Sequence, residues 1–198
     1  MVTICLLRHG ETIYNADGNR YCGRTDIDLS LNGMAQAQRM MNNLRGHHFD
    51  AIFSSPLRRA MQTAQIASGN VDNMITDDRL IEIDFGQWEG QRPEEFQNAD
   101  PETWNNWLTD PENNKAGGTG ESGKEVIDRL NSFYAELFEN YKGKKVLIVA
   151  HNGVNRFFLC SKLGIPLKNY RRIVQENSSL TLLNLVNKNE IQLLKLNA

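Results

Sequence analysis

The chain has 198 residues, enough for one well-buried core, and its 22 lysines and arginines nearly balance 24 aspartates and glutamates, for a formal net charge of −2. That balance excludes the basic face with which a nucleic-acid binder neutralises phosphates, yet it leaves room for a few arginines in a cleft to hold a small anion. No apolar run approaches the roughly 20 residues of a membrane helix, and Arg8 and His9 cut short the opening MVTICLL before it could form a secretory leader. The bulk properties therefore predict a single domain over residues 1–198, a cytoplasmic location, and neither a membrane nor a nucleic-acid partner. Cys5, Cys22 and Cys160 are odd in number, far apart and in no ligand-like spacing, so they read as reduced thiols.

In chain order, Ile4–Leu7 reads as a buried strand. Ser30 is a candidate N-cap for a helix with Met34, Ala37, Met41 and Leu44 on its apolar face. Residues 51–54 form a second short strand, followed beyond Pro56 by a helix through Arg59–Ala64. From Ser122 a long amphipathic helix aligns Val126, Leu130, Phe133, Leu137 and Tyr141. Lys145–Ala150 (KVLIVA) has the pattern of a strand buried on both faces. A helix through Phe157, Leu159 and Leu163 follows and stops at Gly164 and Pro166. Leu180–Val186 and Ile191–Leu196, joined by Asn187-Lys188-Asn189, read as a β-hairpin. This alternation predicts an α/β fold, a three-layer sandwich with a mostly parallel central sheet flanked by helices. The polar stretch from about 87 to 123 holds Trp88, Trp104 and Trp107 and ends in Gly117-Gly118-Thr119-Gly120. It reads as a small helical insertion over the C-terminal ends of the strands, hinged by those glycines.

The chemistry gathers where strands end. The first strand runs into Arg8-His9-Gly10, and KVLIVA runs into His151-Asn152-Gly153. The carboxyl ends of parallel strands carry ligand sites, so the two histidines would face each other if their strands were neighbours. Taken singly, each histidine would pass for a surface or hydrogen-bonded residue. Arg58 and Arg59 stand in the first turn of a helix, where cations are normally disfavoured unless they share an anionic guest with the helix end. Glu82 lies inside the apolar run Leu80–Gly86, and a carboxyl kept from water holds a proton more readily, as a general acid must. The competing reading is a structural pair with Arg79. No ligand-like cluster for a metal is present, and His47 and His48 sit together at a polar helix end.

These residues carry a family resemblance. Arg8-His9-Gly10-Glu11-Thr12 with Asn15 resembles the RHG signature of the histidine phosphatase superfamily, which includes cofactor-dependent phosphoglycerate mutases. Ser55–Ala64 is similar to that family's S-x-L-x-R-A-x-x-T-A segment, with Arg59 in the place of the arginine before alanine. Leu80-Ile81-Glu82 with Phe85-Gly86 resembles its acid motif. Ala150–Gly153 resembles its second histidine motif, where glycine more often follows the histidine. The resemblance implies a metal-independent reaction without a cofactor. His9 would carry the phosphoryl group, Glu82 would be acid and then base, and Arg8, Arg59 and His151 would supply positive field. Asn15 and Asn152 would bind phosphate. Cys22 and Gly23 fall where mutases touch substrate with a threonine and a glycine. Cys22 cannot make the hydroxyl contact, and Gly23 would act through its amide.

Phosphatase and mutase share this chemistry. Mutases carry paired arginines in the insertion and a tyrosine near it, where this chain has Asn105-Asn106 and Phe85. Arg92 and Lys115 remain as substrate cations in an otherwise acidic insertion. The reading is therefore a phosphomonoesterase acting on a small phosphorylated metabolite, with phosphoglycerate mutase as the alternative. A non-catalytic phosphate-binding module is the other class, but it should have lost at least one of His9, Arg59, Glu82 or His151, and none is missing. The tryptophans either stack a substrate ring or form the core of the insertion. The oligomeric state stays open, a homodimer included.

Overall fold

The computed structural model describes residues 1–69 and 74–198. Strand β1 (Val2–Arg8) is followed by a one-turn helix α1 (Ile13–Ala16) and by α2 (Leu31–Asn43). Then come β2 (Ala51–Ser54), α3 (Arg58–Ser68), β3 (Met74–Thr76), α4 (Pro93–Ala99), α5 (Pro101–Thr109) and α6 (Gly123–Asn140). The chain closes with β4 (Lys145–Ala150), α7 (Asn152–Leu163), β5 (Leu180–Asn187) and β6 (Glu190–Lys195).

The six strands form one sheet in the order β3-β2-β4-β1-β5-β6. Strands β3, β2, β4 and β1 are parallel, and the closing hairpin adds β5 and β6 antiparallel. The sheet is thus mostly parallel, with its two most apolar strands, β1 and β4, at the centre. Both bury their side chains on both faces because a helical layer covers each side. On one side Cys5, Leu7, Leu147 and Val149 pack on Met40 of α2 and on Ala60, Ala64 and Ala67 of α3. On the other, Ile4, Leu6, Val146 and Ile148 pack on Val126, Leu130 and Leu137 of α6 and Val154 and Phe157 of α7. No helix among the described residues is long and apolar enough to cross a membrane.

Caps sit where the sequence places them. Ser30 accepts from the Gly33 amide, Ser122 and Glu125 exchange hydrogen bonds across the first turn of α6, and Gly164 ends α7 at φ +68°. The inward face of α2 differs from the expectation. Gly33, Ala37, Met40 and Leu44 are buried, whereas Met34 is 40% exposed. A Cβ on Gly33 would lie 2.0 Å from the Glu11 carbonyl oxygen, and that close approach rotates the helix so that Met40 rather than Met34 faces the core. In α6, Tyr134 joins the buried face and stacks on Phe158 of α7 at 3.7 Å. Leu163 stays 38% exposed, and the three-residue β3 has no signal in the apolar pattern.

The stretch from 87 to 123 is built around its tryptophans. Trp88 and Trp107 are buried in the same cluster as the sheet face, Trp107 lies against Phe157 at 6.1 Å, and its Nε1 donates to the Tyr170 hydroxyl at 3.2 Å. The glycines that read as a hinge do something else. A Cβ on Gly117 would meet the Phe85 carbonyl oxygen at 2.2 Å, and one on Gly120 the Asp84 carbonyl oxygen at 2.1 Å. They let two backbone segments lie in contact.

Candidate active site

Because β1 and β4 are in register with Arg8 opposite Ala150, His9 and His151 leave the sheet side by side. Their ring centroids are 5.1 Å apart at an interplanar angle of 61°. The His9 amide donates to the Ala150 carbonyl at 3.0 Å, so the pair is tied at the backbone. His9 Nδ1 lies 2.7 Å from the Gly10 carbonyl oxygen. A carbonyl can only accept, so Nδ1 carries the proton and Nε2 keeps its lone pair. Gly10 is required here, since a Cβ would fall 2.6 Å from the Gly33 carbonyl oxygen. The His9 carbonyl accepts from the Ser178 amide and from Asn177 Nδ2, both at 3.2 Å. Burial first, then the charges of Arg59 and Arg8, push the His9 pKa well below the usual histidine value.

His151 Nε2 is 2.7 Å from Ser55 Oγ, and its buried Nδ1 has no hydrogen-bond partner among the described residues. Burial, Arg59 and His9 push its pKa far down as well. The sequence reading assigned His151 a share of the positive field; burial and the neighbouring arginines disfavour its charged form.

Glu82 is buried next to this pair and caps α7 from outside. Its oxygens accept from the amides of Gly153 at 2.9 Å, Val154 at 3.0 Å and its own neighbour Ile83 at 2.9 Å. Gly153 permits that approach, for a Cβ would lie 2.6 Å from Glu82 Oε1. The structural pairing with Arg79 does not occur. Arg79 binds Asp77 at 2.6 Å and Glu136 at 2.8 Å.

The arginines divide by task. Arg8 donates through Nη1 to the Gln175 carbonyl at 2.6 Å, and burial, with Arg156 nearby, lowers its pKa to about 10. Arg59, in the first turn of α3, is wholly buried and donates to the carbonyls of Thr25 (2.8 Å), Gly23 (2.8 Å) and Cys22 (3.2 Å). Its Nε has no hydrogen-bond partner among the described residues. The same loop gives its amides to one carboxylate: Glu89 accepts from Gly23 at 2.9 Å, Arg24 at 3.4 Å and Thr25 at 3.0 Å. This corrects the expectation for Gly23, whose amide is occupied by Glu89 rather than offered to substrate. Its lack of a side chain serves a contact with Ile83, whose carbonyl oxygen would be 2.2 Å from a Cβ. Arg92 is a second correction. It pairs with Asp17 and does not line the cavity. Arg58 pairs with Asp26 and Asp28 at the surface.

The cavity in front of His9 measures about 660 Å³. Arg8, His9, Asn15, Cys22, Glu82 and Asn152 line it, as the sequence suggested for each. Thr12 donates to Asn15 Oδ1 through its amide at 3.1 Å, which fixes the carboxamide. The Cys22 thiol donates to the Thr25 carbonyl at 3.6 Å, and burial pushes its pKa up to about 11. None of the tryptophans reaches the cavity, so the stacking reading is overturned, and of the insertion only Pro93 does. Among the wall residues not foreseen are Tyr21, Arg156, Arg171, Gln175 and Asn177. Arg156 had a signal, being four residues beyond Asn152 and so on the same face of α7. Arg171 and Asn177 lie in a segment without periodic pattern, where an Arg-Arg pair reads as solvated charge.

Comparison with known proteins places these features among others. The model of the histidine phosphatase superfamily (branch 1) matches residues 4–198. Phosphoserine phosphatase 1 of Hydrogenobacter thermophilus is 35% identical over 198 residues, covering 100% of this chain and 92% of that protein. A probable phosphoglycerate mutase of Yersinia pestis is 32% identical over 182 residues, covering 91% of this chain and 84% of that one. Among solved structures, the phosphoserine phosphatase of Entamoeba histolytica in complex with 3-phosphoglyceric acid superposes with a TM-score of 0.89. It is 29% identical, and the match covers 100% of this chain and 98% of that one.

Proposed function

Since this chain belongs to branch 1 of the histidine phosphatase superfamily and is a phosphatase acting on small phosphate monoesters, we propose that His9 is its nucleophile and Glu82 its acid and base. The observation that carries this reading is the in-register histidine pair, with Nδ1 of His9 tied to the Gly10 carbonyl, so that Nε2 keeps its lone pair, in a cavity that the buried Glu82 also lines.

Phosphoryl transfer asks the protein mainly for position and charge. The Nε2 lone pair attacks phosphorus, the bond from phosphorus to the ester oxygen breaks, and the leaving oxygen takes a proton from Glu82. The non-bridging oxygens find donors in Arg8, Arg59 Nε, His151 Nδ1, Asn15 and Asn152, all preset before substrate arrives. In the second half Glu82 takes a proton from water, the water oxygen bonds to phosphorus, and the P–N electron pair returns to His9. Cys22 contributes shape to the wall.

The phosphatase outcome over the mutase one is supported by where the cations are. The insertion brings none to the cavity: Arg92 is paired with Asp17, Lys115 is exposed, and Asn105 and Asn106 lie on the surface. The insertion thus supplies none of the charge that would retain a bisphosphate while it turned round. The test is phosphate release in EDTA from a panel with p-nitrophenyl phosphate, phosphoserine, sugar phosphates and nucleotides. Beside it, 3-phosphoglycerate is assayed with and without 2,3-bisphosphoglycerate. Release without added metal and without 2-phosphoglycerate is the expected result. Rapid bisphosphate-dependent formation of 2-phosphoglycerate would make the protein a mutase.

A further inference from the structure

Eight arginines of the described residues are at least partly buried: Arg8, Arg20, Arg59, Arg79, Arg92, Arg129, Arg156 and Arg171. Arg20, Arg79, Arg92 and Arg129 are in ion pairs with carboxylates. Arg8, Arg59, Arg156 and Arg171 are not, and all four converge on the active site: Arg59 lies close enough to both histidines to lower their pKa values, and the others line the cavity. A cation withdrawn from water without an ion-pair partner costs stability, and Glu82, the carboxyl that acts on Arg8 and Arg156, cannot offset four, so the cluster marks a place for anions. A phosphate monoester accounts for Arg8 and Arg59. Two remain.

Their placement is specific. Arg156 is one turn along α7 from Asn152, so its stem starts about 5–6 Å from the end of the helix that receives the phosphate. Among the described residues its guanidinium has no hydrogen-bond partner. Arg171 comes from the segment after α7, which packs back on that helix, and is held: Nη2 donates to the Tyr21 hydroxyl at 2.6 Å, and the guanidinium lies over the Trp104 ring at 4.4 Å. Tyr21 is itself wedged between Phe85 and Phe96, at 4.6 and 4.8 Å. With one face against Trp104 and Nη2 on Tyr21, Arg171 still has N–H groups without a protein partner among the described residues, and a guanidinium so fixed suits a planar carboxylate.

On the reading that His9 receives the phosphoryl group, we propose that Arg156 and Arg171 form a second anion subsite, which selects phosphate monoesters bearing a carboxylate a few bonds from the ester oxygen. The short spacing along α7 suits a small phosphorylated hydroxy or amino acid, and Arg171, held by Tyr21 and Trp104, sets specificity without touching the reacting atoms.

The test compares phosphoserine with phosphoethanolamine, which differ by the carboxylate alone, in the unaltered protein and in Arg156→Gln, Arg171→Gln and Arg171→Lys. The unaltered protein should prefer phosphoserine by about 100-fold in kcat/KM, the scale of one buried charge pair. Each glutamine variant should lose about 10-fold or more on phosphoserine beyond what it loses on phosphoethanolamine, chiefly through KM, with lysine recovering part. Absence of the preference, its survival in both glutamine variants, or an equal loss on a sugar bisphosphate would overturn the subsite. Inactivity on every ester, p-nitrophenyl phosphate included, would instead overturn the role of His9. In that event the rise in Tm on adding phosphoserine, expected to shrink in Arg156→Gln, still reads the subsite. Without ligand that variant should melt no lower than the unaltered protein, because it sheds an unpaired cation.

Discussion

At the scale of single residues, the site is a set of groups each denied its ordinary partner. His9 spends one nitrogen on the Gly10 carbonyl, His151 leaves Nδ1 unbonded, and Arg59 gives its Nη atoms to the backbone and keeps Nε. Glu82 is the exception, with its oxygens already engaged by the amides at the start of α7. Those amides orient the carboxyl and fix where a proton can be delivered, so removing the acid should tell according to leaving group. Glu82→Gln is expected to slow phosphoserine about 100-fold or more while slowing p-nitrophenyl phosphate far less, since nitrophenolate departs with little protonation. Steady-state kcat on the two esters checks this, and equal slowing would end the assignment of Glu82 as the acid.

At the scale of elements, the loop from Cys22 to Thr25 is gripped on both sides of its backbone, its carbonyls by Arg59 and its amides by Glu89. Arg59 could be found in the sequence because cations are rare at a helix start. Glu89 could not, since nothing separates it from the other acids of the insertion until the fold brings it against a loop more than sixty residues earlier. Replacing it with alanine strands three amides, a loss of about 1–3 kcal/mol in stability, and releases the loop that seats Arg59. Urea midpoints should fall accordingly, with kcat/KM on p-nitrophenyl phosphate down about 10-fold or more. Unchanged kinetics would mean that Arg59 is held by its helix alone. The tryptophans show the reverse limit. Their number was plain in the sequence, but only Trp107 meeting Phe157 and Tyr170 shows that they form core and not a binding platform.

At the scale of the molecule, the helix layers and the strands that deliver His9 and His151 were legible because a buried parallel strand has an unmistakable apolar run, whereas the order that makes those strands neighbours came from the fold. The substrate-facing wall was not, because Arg171, Gln175 and Asn177 sit in irregular backbone where neither period nor spacing carries information. The same two histidines bear on global stability. Both are held neutral in the fold, whereas in the unfolded chain they protonate near pH 6.5. Below that pH the unfolded state binds protons that the folded state refuses, so stability falls with falling pH, by about 1.4 kcal/mol per pH unit for each histidine. Above it the contribution is flat. Urea unfolding at pH 7.5 and 5.5 should show this loss, and His151→Gln should remove about half of it. An undiminished loss in the variant would place its origin elsewhere.

The order of the sheet has a further consequence, for the making of the protein. The strand that carries His9 is translated first, yet both its neighbours, Lys145–Ala150 and Leu180–Asn187, are translated late. Until they emerge from the ribosome, β1 has two unpaired edges and His9 has neither its partner ring nor the backbone tie to Ala150. A message cut short anywhere before codon 151 would thus yield a sticky, inert fragment rather than a feeble enzyme.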